Sequence, residues 1–344
     1  MPSTLGAEPR RPNISMDEPV FEIEDLCVEF HTQKGTVYAV NGVSYTLRQG
    51  DTLGIVGESG CGKSVLHYAV MGLLPAKGTH VTARRAAWRG THLLAQGEVF
   101  RRSIVGLRMT MVFQDPMTAL NPYLTVGYQV MEPLLIKGLA GKKEARERAE
   151  AMLRRVGLPE PKTAFHRFPH EFSGGMRQRA MIAMALITHP EVLIADEPTT
   201  ALDATVQAQV LHLLDEMRRE FGMCLVLITH DFAVVTGRCA YTAVMYAGQF
   251  VEFGPTPSLF AAPKHPYTRA LLDALPSVHG VGQRLRAIPG APPELKARPE
   301  GCAFAPRCPY AVPTCTERRA ALESVAPGHT TACWRVREGE VRLE

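Results

Sequence analysis

Gly57-Glu58-Ser59-Gly60-Cys61-Gly62-Lys63-Ser64 fits the pattern G-x-x-x-x-G-K-S. Its chemistry is phosphate binding. Glycines let the backbone curl until successive N–H groups converge on phosphate oxygens. A helix starting there adds unpaired amides and a partial positive charge at its N-terminus. Lys63 has the reach for the β- and γ-phosphates, and the Ser64 hydroxyl can ligate Mg²⁺. Val65 opens the helix-compatible run and is counted with the loop as nucleotide-binding. Cys61 lies near the new helix N-terminus, a setting that lowers a thiol pKa. It is therefore expected to be alkylatable and shielded by ATP. Further along, the apolar run Val192–Ala195 ends in Asp196-Glu197. Phosphoryl transfer needs a positioned Mg²⁺ and a group that orients the attacking water. Asp196 is assigned the first task and Glu197 the second.

These residues need elements to hold them. Leu53–Val56 reads as a buried strand leading into the loop, and Val65–Met71 as the helix leaving it. Upstream, alternation begins at Val20 and slips by one residue between Phe21/Ile23 and Leu26/Val28/Phe30. A strand with a bulge near Asp25 accounts for the slip. Val37–Leu47 gives a second strand. A strand ends at Met109–Phe113, and the prolines of Asp115–Pro122 argue for a loop after it. Lys142–Val156 is strongly helical, with apolar residues recurring at three and four. Ser173 can cap a helix over Gln178–Thr188. Helix 204–220 and the strand Cys224–Ile228 follow, then His230. Alternating strands and helices predict a mostly parallel sheet with helices on its faces.

Composition sets bounds. The chain has 344 residues, 46% hydrophobic and 21% charged, enough to bury a core. A net charge of +4 is too weak to argue for a nucleic-acid partner. No apolar run approaches the roughly 18 residues of a spanning helix. Arg10 and Arg11 have no apolar stretch behind them, which argues against a secretory signal and for the cytosol. Of eight cysteines, Cys302, Cys308, Cys315 and Cys333 cluster near the C-terminus. In a reducing compartment such a cluster points to a metal before a disulfide.

The order of these features resembles the ATP-binding subunits of ABC transporters over about 21–255. Gly57–Ser64 looks like the Walker A motif and Val192–Glu197 like the Walker B strand with its catalytic glutamate. Gln114 resembles the Q-loop residue, Ser173–Arg177 the signature, Ala201–Asp203 the D-loop and His230 the switch histidine. Met176 stands where the signature commonly has Gln. The resemblance implies a P-loop ABC cassette with an antiparallel β subdomain and a helical subdomain over about 116–180. It further implies that two such chains pack head to tail, so that Ser173, Gly174, Gly175 and Asp203 meet a partner's ATP. Gln114 would link Mg²⁺ to the membrane subunits, and His230 would contact the γ-phosphate. Phe30 resembles the residue that stacks on adenine, with Tyr38 as the alternative.

The tail narrows the resemblance. His265–Leu272, Ile288-Pro289-Gly290 and Gly301–Cys308 resemble the extension of oligopeptide and dipeptide importer ATPases, as do Gln114–Met117 and Leu120–Pro122. The expected organisation is a flexible N-terminus over 1–19, a nucleotide-binding domain over 20–260 and a small, irregular extension over 261–344. The tail cysteines are spaced x5, x6 and x17, unlike the C-x2-C pairs usual for structural zinc. The resemblance implies a [4Fe–4S] cluster on them, with zinc or four unligated thiols as alternatives. His329 is read as a surface residue, with a substitute ligand to the cluster as the alternative. The implied activity is ATP hydrolysis driving import of di- or oligopeptides at the cytoplasmic face of the membrane. The implied partners are a second ATPase subunit, identical or homologous, two permease subunits and an extracytoplasmic binding protein. Import of nickel or another small solute, and a soluble non-transport ATPase, are the alternative readings.

Overall fold

The computed structural model describes residues 18–200, 202–275, 288–319 and 321–343. The lead-in expected over 1–19 therefore lies, but for residues 18 and 19, outside the described residues.

Two sheets share the chain. The first is antiparallel and is built on β1 (Phe21–Thr32). β1 pairs with β2 (Gly35–Leu47), β4 (Thr79–Thr82) and β5 (Arg85–Trp88), and β5 pairs in turn with β6 (Thr91–His92). The register of β1 on β2 shifts between Ile23 and Leu26, where Asp25 takes φ 51°. This is the bulge that the slipped alternation predicts: an extra residue returns Leu26 and Val28 to the buried face.

The second sheet carries the chemistry. Its core is parallel, in the order β10 (Tyr241–Tyr246), β3 (Thr52–Val56), β9 (Cys224–Thr229), β8 (Val192–Asp196) and β7 (Met109–Val112). β3, β8 and β9 are buried along their whole length, which is why they read as continuous apolar runs and not as alternations. Beyond β10 the sheet turns antiparallel through β11 (Gln249–Pro255). It continues with β13 (His329–Thr331) and β12 (Glu323–Ala326). The C-terminal region, largely irregular, thus adds two short strands to the central sheet. His329 is not a surface residue. It is 3% exposed, and its Nε2 lies 2.7 Å from the buried Glu252 carboxylate, which also accepts from the amides of Lys264 and His265.

Helices fill the faces. The first eight, in order, are α1 (Lys63–Met71), α2 (Gly97–Ile104), α3 (Pro116–Ala119), α4 (Val126–Ile136), α5 (Lys142–Arg155), α6 (Pro161–Ala164), α7 (Gly174–Leu186) and α8 (Ala204–Phe221). Two differ from expectation. α3 is a single turn inside the expected loop; Asp115 caps it by accepting from Met117 N, and Pro116 sits in its first turn, where a missing N–H costs nothing. α7 begins at Gly174, four residues before the predicted start, because two glycines hide a helix start from any propensity argument.

α4, α5 and α7 pack together at one end of the central sheet. Gly127 of α4 faces the Phe165 ring, and a Cβ there would lie 2.1 Å from a ring carbon. Alanine normally gains about 1 kcal/mol over glycine in a helix. Here overlap outweighs that gain, so Gly127→Ala should lower stability by about 1–3 kcal/mol. A reduced urea midpoint with an unchanged slope would be the signature.

Candidate active site

The phosphate loop joins the buried strand β3 to α1. Gly62, the residue before the helix, has φ 106°, and a Cβ on it would lie 2.3 Å from the Ala39 carbonyl oxygen. Glycine is required there on both counts. At the crest, Ser59 and Gly60 are exposed, and a Cβ on Gly60 would meet nothing within 4 Å. The loop is thus tight against the protein on one side and open on the other, where phosphates would approach. Lys63 is 5% exposed, and its ammonium donates to the carbonyls of Gly57 (2.8 Å) and Glu58 (3.0 Å).

Parallel pairing of β3, β9 and β8 brings their C-terminal ends side by side. Ligand sites in open α/β sheets lie at that edge. Ser64 Oγ donates to Asp196 Oδ1 at 2.9 Å, so the two residues assigned to Mg²⁺ are already in contact. Tyr68, one turn further along α1, donates to Asp196 Oδ2 at 3.2 Å. Burial raises the Asp196 pKa, and the Ser64 and Tyr68 hydrogen bonds only partly offset it. A buried carboxylate beside a hydroxyl is a hard-oxygen pair of the kind Mg²⁺ takes. Tyr68 was not singled out in the sequence; its i+4 spacing from Ser64 was the available signal.

Glu197 gathers the remaining residues. Gln114 Nε2 donates to its Oε2 (3.1 Å), Thr200 Oγ1 donates to the same oxygen (2.8 Å), and His230 Nδ1 lies 3.3 Å from Oε1. Glu197 has φ 45°, a left-handed conformation that a non-glycine residue rarely adopts. Its amide donates to Ile228 O, which holds the backbone there. Residues separated by 83 and 33 positions thus converge on one carboxylate, and only its neighbour Asp196 is fully sequestered.

The signature residues stand apart. Ser173 and Gly174 are exposed; Ser173 Oγ accepts from Met176 N, capping α7. Asp203 is exposed and caps α8 by accepting from Thr205 N and Val206 N, both at 3.0 Å. Ala201 of the same motif lies outside the described residues. Phe30 is half-buried against the β-sheet core, while Tyr38 has the Arg298 guanidinium 5.1 Å above its ring. That cation covers one face of the Tyr38 ring.

Two expectations are corrected. Cys61 is 6% exposed, and burial raises its pKa despite nearby Lys63, so the environment does not activate the thiol. Loss of solvent outweighs the Lys63 charge and the loop amides, both of which act to lower the pKa. The iron–sulfur cluster expected at Cys302, Cys308, Cys315 and Cys333 is also overturned. The four residues line one pocket, with His265, Phe304 and Trp334. Yet among the described residues no group of three or more His, Cys, Asp or Glu side chains could hold a metal ion. All four are free cysteines. Burial also pushes the free Cys302 and Cys308 thiols up to about 11 and raises Cys333. Cys315 packs with Ala305 and Trp334 as a small apolar side chain.

Comparison with known proteins decides the family. The ABC transporter family matches residues 40–200, and the oligopeptide/dipeptide transporter C-terminal region matches 251–315. The oligopeptide transport ATP-binding protein OppD of Salmonella typhimurium is 48% identical over 316 residues, covering 92% of this chain and 93% of that one. The chain belongs to the ABC transporter family. The dipeptide transport ATP-binding protein DppD of Bacillus subtilis is 47% identical over 317 residues, with 92% and 95% covered. Among solved structures, a dimeric ATP-binding cassette in a post-hydrolysis state with ADP and Pi superposes with a TM-score of 0.60. It has 25% identity and covers 69% of this chain and 98% of that one. The fold is therefore that of an ABC ATPase cassette. Among the described residues no helix is long and apolar enough to cross a membrane.

Proposed function

We infer that this ABC protein is the ATP-hydrolysing subunit of an importer for di- and oligopeptides, working at the cytoplasmic face of a membrane beneath two permease subunits. One observation carries the reading: a single chain holds both the phosphate-loop site and the C-terminal region that marks oligopeptide/dipeptide transporters. Relatives named for oligopeptide and dipeptide transport align along nearly the whole chain.

The residues divide the work. Gly57–Val65 cradle the triphosphate through backbone amides and the Lys63 ammonium. Ser64 and Asp196 would hold Mg²⁺, with Gln114, which follows the neighbouring strand β7, completing the set; the ion would supply positive charge against the phosphate oxygens. Glu197 orients water and accepts its proton, steadied by Gln114 and Thr200. His230 bridges Glu197 and the γ-phosphate position. Phe30 offers its ring to adenine. The exposed Ser173 and Gly174 and the half-buried Gly175, with Asp203, face the nucleotide of a second ATPase subunit, which we take to be a homologue of this chain. Nucleotide then favours the closed pair by binding it better than the open one. Exposed Met117, Tyr123 and Ile136, following Gln114, are 60%, 88% and 74% accessible and suit a permease contact.

The test is reconstitution with the permeases that co-purify and the binding protein that serves them. Di- or oligopeptides should stimulate hydrolysis and accumulate in vesicles. Stimulation by nickel alone, or by no solute and no permease, would overturn the peptide assignment.

A further inference from the structure

The x positions of a phosphate loop carry no side-chain requirement of their own, yet Glu58 is held at every polar group it has. Its carboxylate meets the Arg307 guanidinium in a two-pronged contact: Nη1 donates to Oε2 at 2.7 Å and Nη2 to Oε1 at 2.9 Å. Its amide donates to the Tyr267 hydroxyl at 3.0 Å. Its carbonyl accepts from Lys63 Nζ at 3.0 Å. The first two partners lie 249 and 209 residues away, in the C-terminal extension.

Those partners are themselves fixed. The Arg307 side chain is 6% exposed, and it also donates through Nε to Pro289 O (2.9 Å) and through Nη1 to Tyr246 OH (3.2 Å). Tyr267 is fully buried, its ring 4.5 Å from that of Tyr246 and 5.3 Å from that of Phe304. Tyr246 ends β10, directly after the Met245 carbonyl against which Gly57 packs. A guanidinium fork in a nearly dry setting is a directional, charge-assisted contact and not a solvated surface pair.

We propose that the extension is part of the nucleotide site: Arg307 and Tyr267 are positioning residues that set the phosphate loop through Glu58. The proposal rests on the reading that Gly57–Ser64 binds ATP. Two effects follow. Arg307 and Tyr267 fix the Glu58 carbonyl, one of the two acceptors that hold Lys63, so the loop is ordered before ligand arrives. Arg307 also neutralises a carboxylate that would otherwise repel the triphosphate. That gives a signature which mere support of the fold would not give. Losing Arg307 should be harmful while Glu58 keeps its charge, and much less so once that charge is gone.

The test is equilibrium binding of MgATP to the full chain, followed by titration calorimetry. Arg307→Met should raise the Kd about tenfold, the scale of one lost charge-assisted contact. Adding Glu58→Gln to that variant should recover most of the loss, with Glu58→Gln alone measured to close the cycle. Tyr267→Phe, which removes only the hydroxyl, should weaken binding about threefold. An unchanged Kd in Arg307→Met, or a loss that Glu58→Gln does not relieve, would overturn the proposal. Should Arg307→Met fail to fold, Tyr267→Phe decides: wild-type affinity there would overturn it. Wild-type chain that bound no MgATP would instead defeat the underlying nucleotide reading.

Discussion

Glu197→Gln should lower ATP hydrolysis by about 10²–10⁴-fold, the usual contribution of a positioned general base, while leaving nucleotide binding intact. The substitution is nearly isosteric. An amide oxygen can still accept from Gln114 and Thr200, so the pocket keeps its shape. What is lost is the ability to take a proton from water. Since Glu197 does not touch the phosphate loop through any hydrogen bond described above, ATP affinity should change little. Binding without turnover keeps the closed pair closed. The variant should therefore elute as a dimer on ATP and as a monomer on ADP, with hydrolysis read in a single-turnover assay. Near wild-type turnover would move the proton acceptor elsewhere, and His230, 3.3 Å from Glu197, would be next to test. A variant that neither bound ATP nor dimerised would mean that Glu197 holds the site together instead of activating water.

Much of this site was legible in residue order, for a physical reason. The parallel sheet brings strand C-termini to one edge, so a residue that follows an apolar run is placed by the run itself. Lys63, Asp196, Glu197 and His230 all obey this, each coming after β3, β8 or β9. Gln114 obeys it through β7. Illegible features depended on packing across long separations. Tyr68 looked like part of an apolar helix face, and only the packing that brings α1 beside the end of β8 gives its hydroxyl a carboxylate. Arg307 sat in a proline-rich tail without periodicity, where no spacing rule could connect it to Glu58. The cysteine cluster failed differently. Spacing identifies thiols that come near one another, but a metal needs them set around one point, and among the described residues no group of three or more is so arranged. Cys61 is a separate failure at a single position. Position beside a helix N-terminus suggested a reactive thiol, and loss of solvent outweighed it.

Lys63→Met should raise the Kd for MgATP by about 10²–10³-fold, equivalent to about 3–4 kcal/mol. The arithmetic is that of charge-assisted hydrogen bonds: an ammonium shared between two phosphates forms two contacts of about 1.5–3 kcal/mol each, less the cost of leaving its present partners. Those partners are the carbonyls of Gly57 and Glu58, and Lys63 as a residue is buried before ligand arrives. Methionine fills most of the same volume without carrying charge into the interior. It takes this donor from the Gly57 carbonyl, while Glu58 O still accepts from Cys61 N, but it removes an ion whose desolvation had already been a burden. These terms oppose each other, so the ligand-free protein should unfold within a few degrees of wild type. The difference appears on adding nucleotide. A ligand at 100 times its Kd stabilises the native state by about 2.7 kcal/mol, and at or below its Kd by almost nothing. At one MgATP concentration, chosen near 100 times the wild-type Kd, the wild-type melting temperature should rise by several degrees and that of the variant should not move. An equal rise in both proteins would mean that Lys63 binds no phosphate, and that its bonds to the loop carbonyls are its whole role.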